Sequence, residues 1–194
     1  MPNMVHWTHP AGVVPHLGRE EAEARHQYYI GPEHLLVGLL QQHAFLREVG
    51  SPDQGDDSAA DLLRSHGLDL MAVRAGIDRL VAQGVLPVQP VAHAPGGGTP
   101  LTCHRVLLRA CEEAVARGSE VGPLHLLLGL LRDAERPVDE GLSPEELRLR
   151  SLLGLPNSGP SPIKLLVEGE GLTLEYLQAA VRAELDRDLS LIHI

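Results

Sequence analysis

An eleven-residue stretch occurs twice in this chain, and that duplication limits what it can fold into more than any other feature. Ile30-Gly31-Pro32-Glu33-His34-Leu35-Leu36-Val37-Gly38-Leu39-Leu40 returns 91 residues later as Val121-Gly122-Pro123-Leu124-His125-Leu126-Leu127-Leu128-Gly129-Leu130-Leu131, with eight of eleven positions identical. Similarity at that spacing predicts two copies of one supersecondary unit. Each copy reads as a helix start. Pro32 and Pro123 suit the first helical position, where the missing N–H costs nothing. Glu33 falls in the first turn, where a negative charge complements the helix dipole. Leu35, Leu36, Leu39 and Leu40 then form one broad apolar face. Gly38 and Gly129 lie inside their helices, each costing about 1 kcal/mol relative to alanine. The same cost at the same place in both copies predicts that another backbone packs closely there.

The rest of the chain reads as helices between loops. A first helix is predicted from Pro15 to about Gln27, with residues 1–14 flexible before it. The motif helix runs from Pro32 to about Glu48. The acid-rich residues 50–57 form a solvated loop. Ser58 and Asp69 are candidate N-caps for the next two helices. Residues 85–99, with three prolines and Gly96-Gly97-Gly98, read as a linker. Repeat one is therefore placed at 15–84 and repeat two at 100–188, with an inserted loop at 136–162 in which Ser143-Pro144-Glu145-Glu146 opens a helix. Thr173 is the predicted cap of the last helix. Residues 189–194 continue no apolar pattern and read as a non-native tail. With no alternating β-branched runs, the fold class is all-α.

Composition narrows the function. The net charge is −10, which argues against nucleic-acid and anionic-membrane partners. No apolar run approaches bilayer length, and the first fifteen residues lack a signal-peptide layout, so the cytoplasm is the expected compartment. Cys103 and Cys111 are eight residues apart. On one helix that is about 12 Å, too far for a disulfide. They read as small buried residues rather than a redox or metal pair. Lys164 is the only lysine and lies outside any G-x-x-x-x-G-K-[ST] context, so no P-loop exists here. Eleven histidines raise the question of metal. Glu33-His34 lacks the second histidine of H-E-x-x-H, and His34 and His125 read as hydrogen-bonded structural residues at helix starts. No metal, cofactor or catalytic constellation is expected.

Two copies of the Ile-Gly-Pro-Glu-His-Leu-Leu type motif resemble the double amino-terminal repeat of Clp-type AAA+ unfoldases. Each copy is preceded by Glu-Glu-Ala (Glu20-Glu21-Ala22 and Glu112-Glu113-Ala114). The first is followed by Gly67-Leu68-Asp69-Leu70-Met71-Ala72-Val73-Arg74, which Gly171-Leu172-Thr173-Leu174 echoes. The resemblance covers about residues 13–185. It implies two pseudo-twofold-related four-helix repeats and a non-enzymatic, bacterial module that receives protein substrates or adaptors for regulated proteolysis. In that family the motif glutamate, with residues near the first helix, is implicated in recognising phosphorylated arginine. By position this implies Glu33 with Thr8 in repeat one. In repeat two, Leu124 replaces the glutamate although Thr102 matches the threonine, so that site is expected to be degenerate. The plainer alternative is that Glu33 only complements the helix dipole. Two further readings stay open: an amino-terminal piece of a full Clp ATPase, and a small helical enzyme with an unrecognised site.

Overall fold

The computed structural model describes residues 5–27, 29–51, 58–87, 101–152, 155 and 158–192, with the side chains of 101, 102, 149 and 188–192 outside that description. The described elements are α1 (His9–Ala24), α2 (Pro32–Glu48), α3 (Ser58–Ser65), α4 (Leu70–Ala82), α5 (Leu101–Arg117), α6 (Pro123–Ala134), α7 (Pro144–Leu152), α8 (Pro162–Gly169) and α9 (Leu174–Ile192). No strand occurs among them. The one β-type contact is an isolated parallel bridge between Trp7 and Val121. The motif starts, the caps Asp69 and Thr173 and the insertion helix fall where the sequence places them, whereas Ser58 is itself a helical residue of α3. Asp69 accepts a hydrogen bond from Ala72 N–H at 2.8 Å, and Thr173 accepts one from Tyr176 N–H at 3.2 Å. Ser143 and Glu146 cap α7 reciprocally, the side chain of each meeting the backbone N–H of the other. The acid loop at 52–57 and the Gly-rich part of the linker lie outside the described residues.

The helix pairs reveal the twofold relation. With α1, α2, α3 and α4 matched to α5, α6, α8 and α9, contacts occur in exchanged pairs. α3 packs on α6 as α8 packs on α2, α4 on α8 as α9 on α3, and α1 on α6 as α5 on α2. The pair α2–α6 maps onto itself. Apolar residues of both repeats form one core, from Leu35 and Leu39 through Leu126 and Leu130. The sequence reading of one apolar face on α2 needs enlarging: residues 32–40 are all buried, as are 123–131 of α6. Helices apolar on every side belong at the centre of a fold, and these two form its axis.

Two expectations at the amino terminus are corrected. The first helix begins at His9, not Pro15, and residues 9–14 are not flexible. Thr8 is the N-cap, Pro10 takes the tolerated early position, and Ala11 and Val14 are buried. Pro15 therefore sits inside the helix and forgoes one intrahelical hydrogen bond. At the far end the chain leaves α1 through His26 in the left-handed region (φ 56°), where the second copy has Gly118 (φ 65°). Glycine adopts that conformation freely, whereas a side chain is strained in it. The last helix continues without a break from Asp188 to Ile192, so the proposed tail boundary has no backbone counterpart.

The paired glycines mark the closest approaches. A Cβ on Gly38 would lie 2.5 Å from Val14 O of α1, and one on Gly129 would lie 2.7 Å from Val106 O of α5. Gly18 answers from the other side, its Cβ position 3.1 Å from His34 O. Gly12, by contrast, has nothing within 4 Å. Thermal melts should therefore separate the two positions. Gly12→Ala is expected to raise stability by up to about 1 kcal/mol through helix propensity. Gly38→Ala is expected to lower it by roughly 1–3 kcal/mol despite the same propensity gain, because a backbone oxygen must move. A higher melting temperature for Gly38→Ala would refute the contact.

Candidate functional site

The two motif starts solve one problem in the same way. A helix whose first turn is buried must find internal partners for its N-terminal N–H groups. His34 turns back so that Nδ1 accepts the Gly31 N–H at 2.9 Å, and His125 does the same for Gly122 at 3.1 Å. A ring nitrogen that accepts carries no proton, so the proton of His34 is on Nε2, which donates to Gln27 Oε1 at 2.6 Å. His125 Nε2 meets Ser119 Oγ at 3.2 Å. Both histidines thus act as capping acceptors at the position where glutamate or glutamine usually serves. Among the described residues no group of three His, Cys, Asp or Glu side chains is placed to hold a metal.

Glu33 is where the copies diverge. Its side chain folds back over the helix start into the space beside Gly31, where an added Cβ would lie 2.1 Å from Glu33 Oε1. Gly31 is thus required by Glu33, whereas Gly122, next to Leu124, meets only His125 Nδ1 at 3.7 Å. The Glu33 carboxylate is 1% exposed and stands against the Tyr29 phenol. It is not the open ligand group that the sequence implies. It lines a small cavity of about 20 Å³ with Tyr29, Arg105, Asp133, Arg136 and Arg150, room for about one water molecule. Burial, and then Glu33, push the Tyr29 phenol far above its usual range. Burial raises the Asp133 carboxyl although Arg105 lies 3.0 Å away. The cavity therefore collects titratable groups without offering space for a substrate.

Thr8 does not join Glu33. Its N–H donates to Val121 O at 3.0 Å, His6 O accepts from Val121 N–H at 2.8 Å, and the Thr8 hydroxyl donates to Val121 O at 3.3 Å. Thr8 therefore belongs to the start of the second motif, beside Leu124. The exchange holds in reverse: Cys103, near the start of α5, donates its thiol hydrogen to Ile30 O, at the first residue of the first motif. Each repeat's first helix clasps the other repeat's motif. The pairing of Glu33 with Thr8 is corrected accordingly, and the side chain of Thr102 lies outside the described residues. Cys103 is buried and Cys111 half-buried, both free.

Two clusters lay hidden in the Glu-Glu-Ala segments, which first served only to align the copies. Buried Glu21 accepts from Arg25 at 2.8 Å and Arg74 at 2.6 Å, and Glu113 pairs with Arg117 at 2.6 Å and with Arg132. Burial acts to raise both carboxyls, but the arginine hydrogen bonds win and hold them below the usual glutamate range. The four-residue spacing of Glu21 to Arg25 and Glu113 to Arg117 was the available signal.

The fold and its motif starts define a class: a double-repeat, all-helical module with the fold of a Clp amino-terminal domain. Comparison with known proteins agrees. The N-terminal domain of the caseinolytic-protease-associated chaperone ClpD of Arabidopsis thaliana superposes with a TM-score of 0.58 over 96% of this chain and 99% of that one, at 15% identity. In sequence the chain is 31% identical over 130 residues to the chaperone ClpB of Oceanobacillus iheyensis, and 30% identical over 136 residues to chloroplastic ClpC1 of Oryza sativa subsp. japonica. Each alignment takes in 66% of this chain but 14% and 12% of the respective relative. The chain thus spans a small fraction of the length of these curated relatives. No family model matches it.

The histidine cap makes a pH prediction. Burial holds the His34 imidazole below its usual value of about 6.5. The unfolded chain then binds more protons than the folded one, so stability is complete above about pH 6.5 and falls as pH drops below it. Melting temperatures measured from pH 7 to pH 5 should decline in the native chain. The decline should be shallower in His34→Gln, whose amide oxygen can still accept the Gly31 N–H. Parallel slopes would show that His34 is not the linked group.

Proposed function

We propose that this chain is a non-enzymatic protein-binding module that recruits substrates or adaptors for Clp-type regulated proteolysis. The observation that carries the reading is the coincidence of a Clp amino-terminal fold over nearly the whole chain with sequence similarity to Clp chaperones. Relatives named as ATP-binding subunits of the Clp protease support the process. The absence of a P-loop within these 194 residues supports binding over ATP hydrolysis. One further reading is favoured by a specific observation. Because the chain spans 12 to 14% of the matched relatives, it can equally be the front module of a full Clp ATPase. The binding role is the same in either case. Two free cysteines suit the cytoplasm, which is the compartment we propose. Glu33 is the carboxylate we propose for a guanidinium-bearing ligand, since carboxylates accept the paired N–H donors of arginine.

The test is a domain exchange. This chain would replace the amino-terminal domain of a ClpC-type ATPase, and ATP-dependent turnover of a substrate that requires that domain would be measured. Turnover several-fold above the domain-deleted ATPase is expected. Turnover equal to the deleted enzyme would overturn the recruiting role.

A further inference from the structure

The outward side of α5 is apolar where its counterpart in the first copy is charged. Val14 O and Gly18 N lie against Gly38 as Val106 O and Ala110 N lie against Gly129, so α1 and α5 align at an offset of 92 residues. His16, Arg19 and Glu23 of α1 then correspond to Leu108, Cys111 and Val115 of α5. All three are exposed in α1, and His16 reaches Glu20 at 3.3 Å. In α5, Leu108 is 63% and Val115 56% exposed, with half-buried Cys111 between them. Separations of three and seven residues put the three on one side of the helix, over about 10 Å. Among the described residues, the other strongly exposed large apolar side chains, Val49, Met71, Leu152 and Tyr176, stand on four separate segments. The fold turns this strip outward in both copies, so packing within the chain does not require it to be apolar in either.

The charges beside the strip say what covers it. Arg105 is held by Asp133 at 3.0 Å, and Arg117 by Glu113 at 2.6 Å. Nearer the strip, exposed His104 and Arg109 lie in the first half of α5, exposed Glu112 in the second half and exposed Glu120 just past its end. Arg109 meets Glu112 at 3.1 Å at the surface. A chain of net charge −10 repels its own copy. A face that joins two copies must therefore carry both signs, in an order that becomes attractive on pairing. Laid antiparallel on a copy of itself, the basic half of α5 meets the acidic half, and that match fixes the register.

We propose that α5 is a self-association surface, through which two copies of the chain pair antiparallel by Leu108, Cys111 and Val115. The twofold axis crosses the middle of the helix, and each copy offers the same strip. Leu108 of each copy packs beside Cys111 of the other, and Arg109 of each lies near Glu112 of the other. The equivalent side of α1 cannot pair in this way, because His16, Arg19 and Glu23 would lose water without gaining apolar contact. One helical strip buries less than the ~1,200 Å² of a stable complex. The dimer is accordingly weak, with a dissociation constant on the order of 0.1 mM. The pairing is independent of the recruiting role and sets how many modules one client meets.

Sedimentation equilibrium of the full chain, with its thiols kept reduced, tests this between about 10 μM and about 1 mM. The native chain is expected to dimerise across that range. Leu108→His combined with Val115→Glu installs the residues that repeat one carries at the equivalent exposed positions. It is expected to weaken association by about tenfold or more, with an unchanged melting temperature. Met71→Glu, on a different exposed segment, is expected to leave association intact. Charge reads the orientation. Arg109→Glu makes the face uniformly acidic and Glu112→Arg makes it uniformly basic, so each variant should associate poorly alone. An equimolar mixture of the two should recover dimers. A native chain that stays monomeric throughout, a dimer indifferent to the Leu108 and Val115 substitutions, or a mixture without recovery would each overturn the pairing.

Discussion

The rest of the structure depends on the near-contact of helix backbones at Gly38 and Gly129. A side chain at either position would strike a carbonyl of the preceding helix, Val14 O or Val106 O. With glycine there, α1 lies directly on α2 and α5 on α6, close enough that a Cβ on Gly18 would also press on His34 O at 3.1 Å. This seam covers one flank of each motif helix. The remaining flanks are covered by the later helices of the same repeat, α3 and α4 or α8 and α9, and by the other repeat, so both helices are buried on every side over their first two turns and more. Part of their apolar circumference is stabilising because the duplication supplies a second copy to lean on.

Complete burial creates the need that His34 and His125 meet. A helix start in solvent leaves its N–H groups to water, but one in a core must satisfy them with protein atoms. Histidine at the third helical position does so while its other nitrogen reaches Gln27 or Ser119, outside the helix. The same burial explains why Glu33 differs in consequence from Leu124. A leucine in that place joins the core. A carboxylate there is enclosed at the helix start, where the helix dipole and the Tyr29 phenol stand beside it. The asymmetry between the repeats, small in sequence, turns one of two equivalent corners into a polar cavity.

The crossing of the repeats ties these corners together. Thr8 and Trp7 bind at Val121, while Cys103 binds at Ile30. Neither copy is complete alone, since each motif start is closed by the first helix of its partner. A site at either corner is thus built from both halves of the chain, and the α7 insertion adds a third contributor at the Glu33 corner only.

What was legible in the sequence was what short spacing encodes. The duplicated motif, the proline starts, the caps Asp69 and Thr173, the capping box of α7, the structural histidines and the close approach at Gly38 all follow from residues within a few positions of one another. Backbone geometry and hydrogen-bonding capacity act over that range. The start of α1 was misplaced because Pro15 is also a good first-turn residue, and only the packing of Ala11 and Val14 shows that the helix has already begun. Thr8 on Val121 spans 113 residues, and Glu21 with Arg74 spans 53. Such pairings carry no local signal, because chain topology sets the distance between their partners. The sequence by itself determined two helical copies bound through their leucine-rich helices. Only the tertiary structure decided that the copies clasp each other's motif starts, and that the one motif carboxylate is enclosed in a cavity lined by both repeats instead of facing solvent.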